Sequence, residues 1–348
     1  MAEAATLDRA ELERGKGKSA PARWAGFFVT LARRKPLGFF GLCFIVFMLI
    51  VAIVPGVFAL HDPGTTGIGP RLRNYCVGPS DTILCPVVRE TSIVTGQRTV
   101  TGSTSTPLGT DQLGRDTYSR LVHGARWAVY IGLLSVTLSS SLALLIGVTS
   151  GYFGGMFDAV VQRFVDAVMA LPALVLLIAL PVMIGRWDLD GPLPFDDSRI
   201  TFFKLALILG ILGGASGSRV IRAAVIGVRS SQYLEAAKVI GASDARIMLR
   251  HVVPNIFGPL MVQATIGLGA IILVEAAVSY LGFGVQDPNS PTWGQMLNLG
   301  QQIASTKPMQ VVFPSILIAL AVFSFNMLGD ALRDLLDPRL RGAKGGFG

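Results

Sequence analysis

Apolar residues in this chain come in long blocks and do not alternate with polar ones. Six blocks stand out: 37–60, 127–150, 158–184, 202–226, 257–283 and 311–330. Each matches or exceeds the roughly 20 helical residues needed to cross a hydrocarbon core about 30 Å thick. The pattern predicts six transmembrane helices and an all-α integral membrane protein. Before the first block, Trp24, Phe27, Phe28 and Leu31 fall at helix-face spacing, followed by Arg33, Arg34, Lys35 and Pro36. That arrangement suits an amphipathic helix lying in the membrane interface, or a frayed start to the first span.

Between the blocks lie three polar stretches of note. Residues 1–36 form a polar tail with no apolar core and small-residue cleavage site of the kind that marks a signal peptide. Residues 61–126 form an extended loop after the first span. It holds Cys76 and Cys85, a "TVTGSTST" linker, and "GTDQLGRDTYSRLVHGAR", where Asp111 is a candidate cap for an interfacial helix. Residues 229–256 interrupt the core 127–330, and 331–348 form a second polar tail.

Composition agrees. Hydrophobic residues make up 51% and charged residues 15% of the 348, against roughly 25% charged in ordinary globular chains. The mean hydropathy is +0.57. The formal charge of +8 comes without a basic stripe interleaved with aromatics, so nucleic acid is not the expected partner. It fits lipid contact and the positive-inside rule instead. With the amino terminus inside, 19 Lys and Arg fall on the inner side and 11 on the outer, most of the latter in the long loop. Both termini and residues 229–256 are then cytoplasmic. Cys76 and Cys85 face the oxidising side, where they form a disulfide or stand as two free thiols. "GKS" at Gly17 to Ser19 lacks the glycine of a phosphate-binding loop, since Leu12 holds that position.

Within the blocks, glycines recur four apart (Gly147, Gly151 and Gly155; Gly210 and Gly214; Gly213 and Gly217), a spacing that lets helix backbones approach. Pro172 and Pro181 are expected to kink the third span. Glu275 is the deep intramembrane charge. It and Ser279, with Ser324, Asn326 and Pro172, are candidates for the lining of a translocation path; packing hydrogen bonds are the alternative for the polar ones. No charge relay or internal repeat of the secondary-transporter kind is evident, so the chain shows little sign of its own energy source. His61, His123 and His251 sit at span ends or in loops, which argues against a membrane-embedded enzyme.

The segment "EAAKVIGASDARIMLRHVVPN", 235–255, carries two acids, three basic residues and a histidine between two spans. It reads as two short helices. Ala236 and Ala237 lie on the first, Gly241 takes a positive φ at its end, Ser243 caps the second, and Pro254 marks the return to the membrane. Small residues ringed by charge on a short rigid element suit a docking surface.

Glu235-Ala236-Ala237, three residues, Gly241, then Pro254 resembles the EAA signature of permease subunits of binding-protein-dependent ABC importers. "PLGTDQLGRDTYSRLVHGAR", "GYFGGMFDAVVQRFVD", "MALPALVLLIAL", "EAAVSYLGFGVQDPNSPTWGQML" and "FNMLGDALRDLLDPRL" resemble the second permease of the dipeptide/oligopeptide/nickel branch. The likeness spans about 36–342 and departs from the branch in the longer 61–106 stretch. It implies a six-helix type I importer permease fold in the plasma (inner) membrane. It also implies a second permease, one or two cytoplasmic ATPases carrying ATP and Mg, and an extracytoplasmic solute-binding protein. No cofactor, metal or catalytic residue is implied on this chain. Glu235, Ala236, Ala237, Gly241, Ala242, Ser243 and Asp244 are then the residues that couple to the ATPase. A stand-alone secondary transporter or channel is the alternative.

Overall fold

The computed structural model describes residues 31–33, 35–66, 68, 89–91, 98–100, 106–183 and 197–336. The expected Cys76–Cys85 pair and most of the interfacial helix from Trp24 lie outside them. The first span, α1 (Pro36–Ile53), ends earlier than the apolar block does. Val54 leaves the helical region before Pro55, and the short α2 (Pro55–Phe58) follows. Pre-proline residues are pushed out of the αR region, and this one stops the helix. The loop beyond contains two three-residue strands, β1 (Arg89–Thr91) and β2 (Arg98–Val100), paired antiparallel with Glu90 opposite Thr99.

The second span is longer than its apolar block. α3 (Thr117–Phe153) runs 37 residues, about 55 Å at 1.5 Å per residue, well over the bilayer core. The expected interfacial helix is thus continuous with the span. Its cap is Asp116, not Asp111: the Asp116 carboxylate accepts from Tyr118 N and Ser119 N. Asp111 organises the preceding turn, accepting from Leu113 N at 2.9 Å and Arg115 N at 3.0 Å.

The third apolar block is two helices, α4 (Gly155–Ala170) and α5 (Ala173–Met183), bent by 79°. Leu171 is extended (φ −86°, ψ 137°), as the residue before Pro172 must be to avoid its ring. Pro181 sits inside α5 and does not break it. α6 (Asp197–Arg229), α9 (Phe257–Tyr280) and α11 (Met309–Leu336) complete the apolar helices. Among the described residues, five helices are long and apolar enough to cross a membrane, six if the bent pair counts as one span.

α3 and α6 form the most extensive helix pair, and Gly147, Gly151, Gly210, Gly213 and Gly214 line its seam. A Cβ on Gly147 would lie 2.7 Å from Ser218 O and 2.8 Å from Ile221 Cβ, and one on Gly214 2.6 Å from Leu142 Cβ. In lipid, without a hydrophobic drive between helices, such close backbone approach supplies the dispersion contact that holds a pair. α1 closes on α11 in the same way, with Gly41 against the Ser324 carbonyl.

One end of the bundle is closed by a polar cap. Ser119 Oγ donates to Asp116 and accepts from Leu60 N and His61 N, both at 3.0 Å. Arg120, 1% exposed, donates from Nη1 to Pro63 O at 3.0 Å and Pro288 O at 3.1 Å. The short α10 (Trp293–Gln301) tucks beside α3: Trp293 Nε1 donates to Leu121 O at 2.9 Å, and its ring fills the space a side chain at Gly124 would take.

Gly147→Val is expected to lower folding stability by ~1–3 kcal/mol through overpacking, seen as a lower thermal midpoint in detergent. Gly227→Ala, with nothing within 4 Å of its added Cβ, is expected to leave the midpoint unchanged or raise it.

Candidate functional site: a docking segment and the cavity beside it

At the end opposite the polar cap, α6 runs to Arg229 and the chain turns into α7 (Gln232–Val239). α7 ends with Ile240 N donating to Ala236 O at 3.1 Å and Ala242 N to Ala237 O at 3.1 Å. Gly241, at φ +85°, supplies the left-handed turn that a helix end of this type needs. α8 (Asp244–Ile247) starts after an extended Ser243, whose side chain makes no capping bond but whose carbonyl accepts from Ile247 N. A π-helical turn, Met248–Val252, follows, and then Val253–Asn255. Pro254 has no N–H to close an α-turn onto Arg250, and the wider turn precedes it.

The segment is anchored from beneath. Leu234, Ile247, Val252 and Ile256, each at most 1% exposed, pack with Ile221 and Val225 of α6 and Val148 of α3. Ala237 and Ala242 turn toward this cluster, whereas Glu235, Ala236, Gly241, Ser243 and Asp244 are exposed. Two residues that spacing did not single out, Val239 and Ile240, are 88% and 85% exposed beside Gly241. Large apolar side chains left this bare on a rigid turn are candidates for a contact surface. The signal in the sequence is their position directly before the helix-ending glycine.

Two polar contacts fix the segment to the end of α3. Tyr152 donates its hydroxyl to Asp244 Oδ1 at 2.6 Å, and Lys238 Nζ lies 5.3 Å from the centre of the Tyr152 ring. The bent helix is tied to α6 just as firmly. Arg222 makes a two-pronged pair with Asp158 of α4, Nε to Oδ1 at 2.6 Å and Nη2 to Oδ2 at 2.5 Å; Arg219 pairs with Asp166 at 2.5 Å. A forked guanidinium–carboxylate pair fixes orientation as well as distance. Arg219 and Arg222 therefore bind α4 to the helix that leads into the docking segment.

α3, the bend of α4 and α5, α6 and α9 line an open cavity of about 1010 Å³, with Arg333 of α11 also in its lining. Most of its wall is apolar, with Ser139, Ser140, Ser216 and Gln263 as polar exceptions. Of the residues expected along a path, Pro172 lines this cavity. Glu275 is 2% exposed and accepts from Ser279 Oγ at 2.7 Å; Ser279 packs against Gly294 of α10. Ser324 is buried at the α1–α11 seam and Asn326 is half-buried on α11. These four are outside the cavity lining.

A multi-span helical bundle with an anchored, exposed segment beside an open cavity is the arrangement of a membrane permease. Residues 143–342 match the family profile described as binding-protein-dependent transport system inner membrane component. The chain belongs to this family: it is a transmembrane permease subunit of a binding-protein-dependent ABC importer and is not itself the ATPase. It is 30% identical to the oligopeptide transport system permease protein OppC of Bacillus subtilis over 309 residues, 89% of this chain and 88% of that one. It is 31% identical over 314 residues to a probable D,D-dipeptide transport system permease protein of Escherichia coli, covering 90% and 91% of the two chains. To the dipeptide transport system permease protein DppC of Alkalihalophilus pseudofirmus it is 36% identical over 233 residues, 67% and 72% of the chains.

Charge reversal of Arg222 or Asp158 alone is expected to cost ~1–3 kcal/mol in stability, the scale of a hydrogen bond to a charged group. The double swap, Arg222→Asp with Asp158→Arg, should recover a large part of it. Thermal midpoints of the three variants in detergent check this as a double-mutant cycle.

Proposed function

We propose that this chain forms half of a translocation path for short peptides, paired with a second permease and driven by ATP hydrolysis on one or two cytoplasmic ATPases. ATP and Mg belong to those partners. An extracytoplasmic solute-binding protein delivers the substrate. The peptide class is supported by the relatives, which are named for dipeptide and oligopeptide transport. The docking segment and both termini face the cytoplasm, an orientation favoured by the distribution of Lys and Arg.

The observation that carries this reading is the docking segment. Its exposed face presents Glu235, Ala236, Val239, Ile240 and Gly241, while its buried face is fixed to α3 and α6, two walls of the cavity. A partner that pulls on the exposed face moves the helices that line the space inside. Tyr152, Arg222 and Arg219 extend that linkage to the ends of α3 and α4. For ATP to drive transport it must favour one arrangement of this linkage over another, because a ligand bound equally by two states shifts neither. Ala242, Ser243 and Asp244 continue the docking surface, with Asp244 also held by Tyr152. Pro172, at the bend, is the path residue this reading retains with most support; Glu275, Ser279, Ser324 and Asn326 act through helix packing.

Purification from native membranes in mild detergent, with mass spectrometry of the co-purifying chains, is expected to recover a second permease and one or two ATPases. Recovery of the chain alone, with ion-driven solute movement in vesicles lacking ATP, rules the reading out. Glu235→Arg and Gly241→Pro are expected to insert normally yet reduce substrate-stimulated ATPase activity about ten-fold or more, the scale of losing a central interface contact. Unchanged stimulation in both variants removes the docking role from this segment.

A further inference from the structure

Buried polar atoms in this bundle are mostly satisfied at home. Buried Ser218 does so by bonding Ala215 O one turn back, as part-buried Thr265 bonds Met261 O. Among the described residues, six buried side-chain atoms have no hydrogen-bond partner, on Thr106, Arg120, Ser135, Gln263, Gln295 and Ser324. One of these six residues, Gln263, lines the large cavity. A buried acceptor left unpaired weakens a fold and calls for a reason.

The bundle makes room for this side chain on purpose. Gln263 lies on α9 six residues after Phe257, about 9 Å along the helix from the docking end. Its amide rests against Gly217 of α6, where a Cβ would collide with Nε2. Glycine at 217 is thus what allows a long polar side chain to lie at the α6–α9 contact. Oε1 is buried and unpaired here; because the terminal torsion of glutamine is broad, it can turn toward the cavity without a change of backbone. The walls around it are mostly apolar and offer a passing solute few other polar contacts, among them Ser139, Ser140 and Ser216.

We propose that Gln263, held in place by Gly217, is a specificity-determining contact of the cavity whose Oε1 accepts a hydrogen bond from the backbone amide N–H of a peptide in transit. A site built with an acceptor discriminates against an analogue lacking the donor more strongly than an apolar wall discriminates by shape. The inference rests on the proposed peptide substrate and adds the atom that recognises it. It also sets the kind of recognition: one contact to the feature common to all peptides, with no pocket for any one side chain.

The test uses the whole transporter reconstituted in lipid vesicles with its binding protein. Two substrates are compared, a dipeptide and the depsipeptide in which an ester oxygen replaces its amide N–H. Because the binding protein is the same throughout, a change in the ratio of the two uptake rates between wild type and variant reports on the membrane step. Gln263→Met is expected to lower dipeptide uptake about five-fold, the scale of one hydrogen bond, and to leave depsipeptide uptake unchanged; Gln263→Asn, shorter but still an amide, should lie between. Unchanged depsipeptide uptake at the same time shows that the variant is folded. An unaltered ratio, or an equal fall for both substrates in Gln263→Met and Gln263→Asn alike, overturns the inference and leaves the peptide reading standing. A wild-type transporter that moves neither substrate overturns the peptide reading and this inference with it.

Discussion

The close contact between α3 and α6 is the constraint on which the rest of the molecule depends. Lipid tails are as apolar as leucine, so helices in a bilayer gain little from hiding from solvent and must gain from touching each other closely. Gly147 and Gly214 make that possible by leaving out the side chains that would hold the two backbones apart. Once the pair is set, its far ends define the floor under the docking segment, through Val148, Ile221 and Val225. Its middle defines two walls of the cavity. The bent α4–α5 unit is then added to an existing frame through the charges on Arg219 and Arg222.

Strong charge-assisted bonds near the docking end and close apolar packing along the seam divide the labour. Packing of the glycine kind is short-ranged and gives little freedom to slide. The pairs Arg222–Asp158 and Arg219–Asp166 are directional and bind one helix to another at defined points. Tyr152 bonds Asp244 at a distance of 92 positions in the chain. Together they tie α3, α4, α6 and the docking segment to one another, with the Leu171–Pro172 break as the place where the chain changes direction.

Much of this was legible in the sequence because local chemistry dictated it. Apolar block length revealed the spans, and glycine spacing revealed the seam without saying which helices share it. The bend at Pro172 and the turn at Gly241 follow from single-residue backbone preferences. What was not legible is partner choice over long separations. Nothing local to Asp158 names Arg222, nothing local to Gln263 names Gly217, and nothing separates Arg222 as an ion-pair partner from Arg222 as a mark of the membrane edge. The helix start shows the same limit. Asp111 and Asp116 both precede helix-compatible residues, and the second is the cap because the polar first turns of α3 find partners in loops and need no separate interfacial helix. Glu275 shows the same limit: a lone acid in an apolar helix has the same appearance whether it faces a passage or a serine one turn away.

The polar cap at the other end carries an implication for the chain's history. Ile68 N bonds Gly114 O at 3.1 Å, and Thr106, 1% exposed, accepts from Gly109 N at 3.0 Å. The stretch between Ile68 and Thr106 therefore departs from and returns to one corner of the bundle, and Arg120 pins the neighbouring strand of chain at Pro63. A loop whose two posts are fixed in this way can lengthen at small entropic cost, since closure grows only with the logarithm of its length. Evolution can thus change the residue count here at small entropic cost while the bonds of Ile68 and Thr106 keep both posts in place.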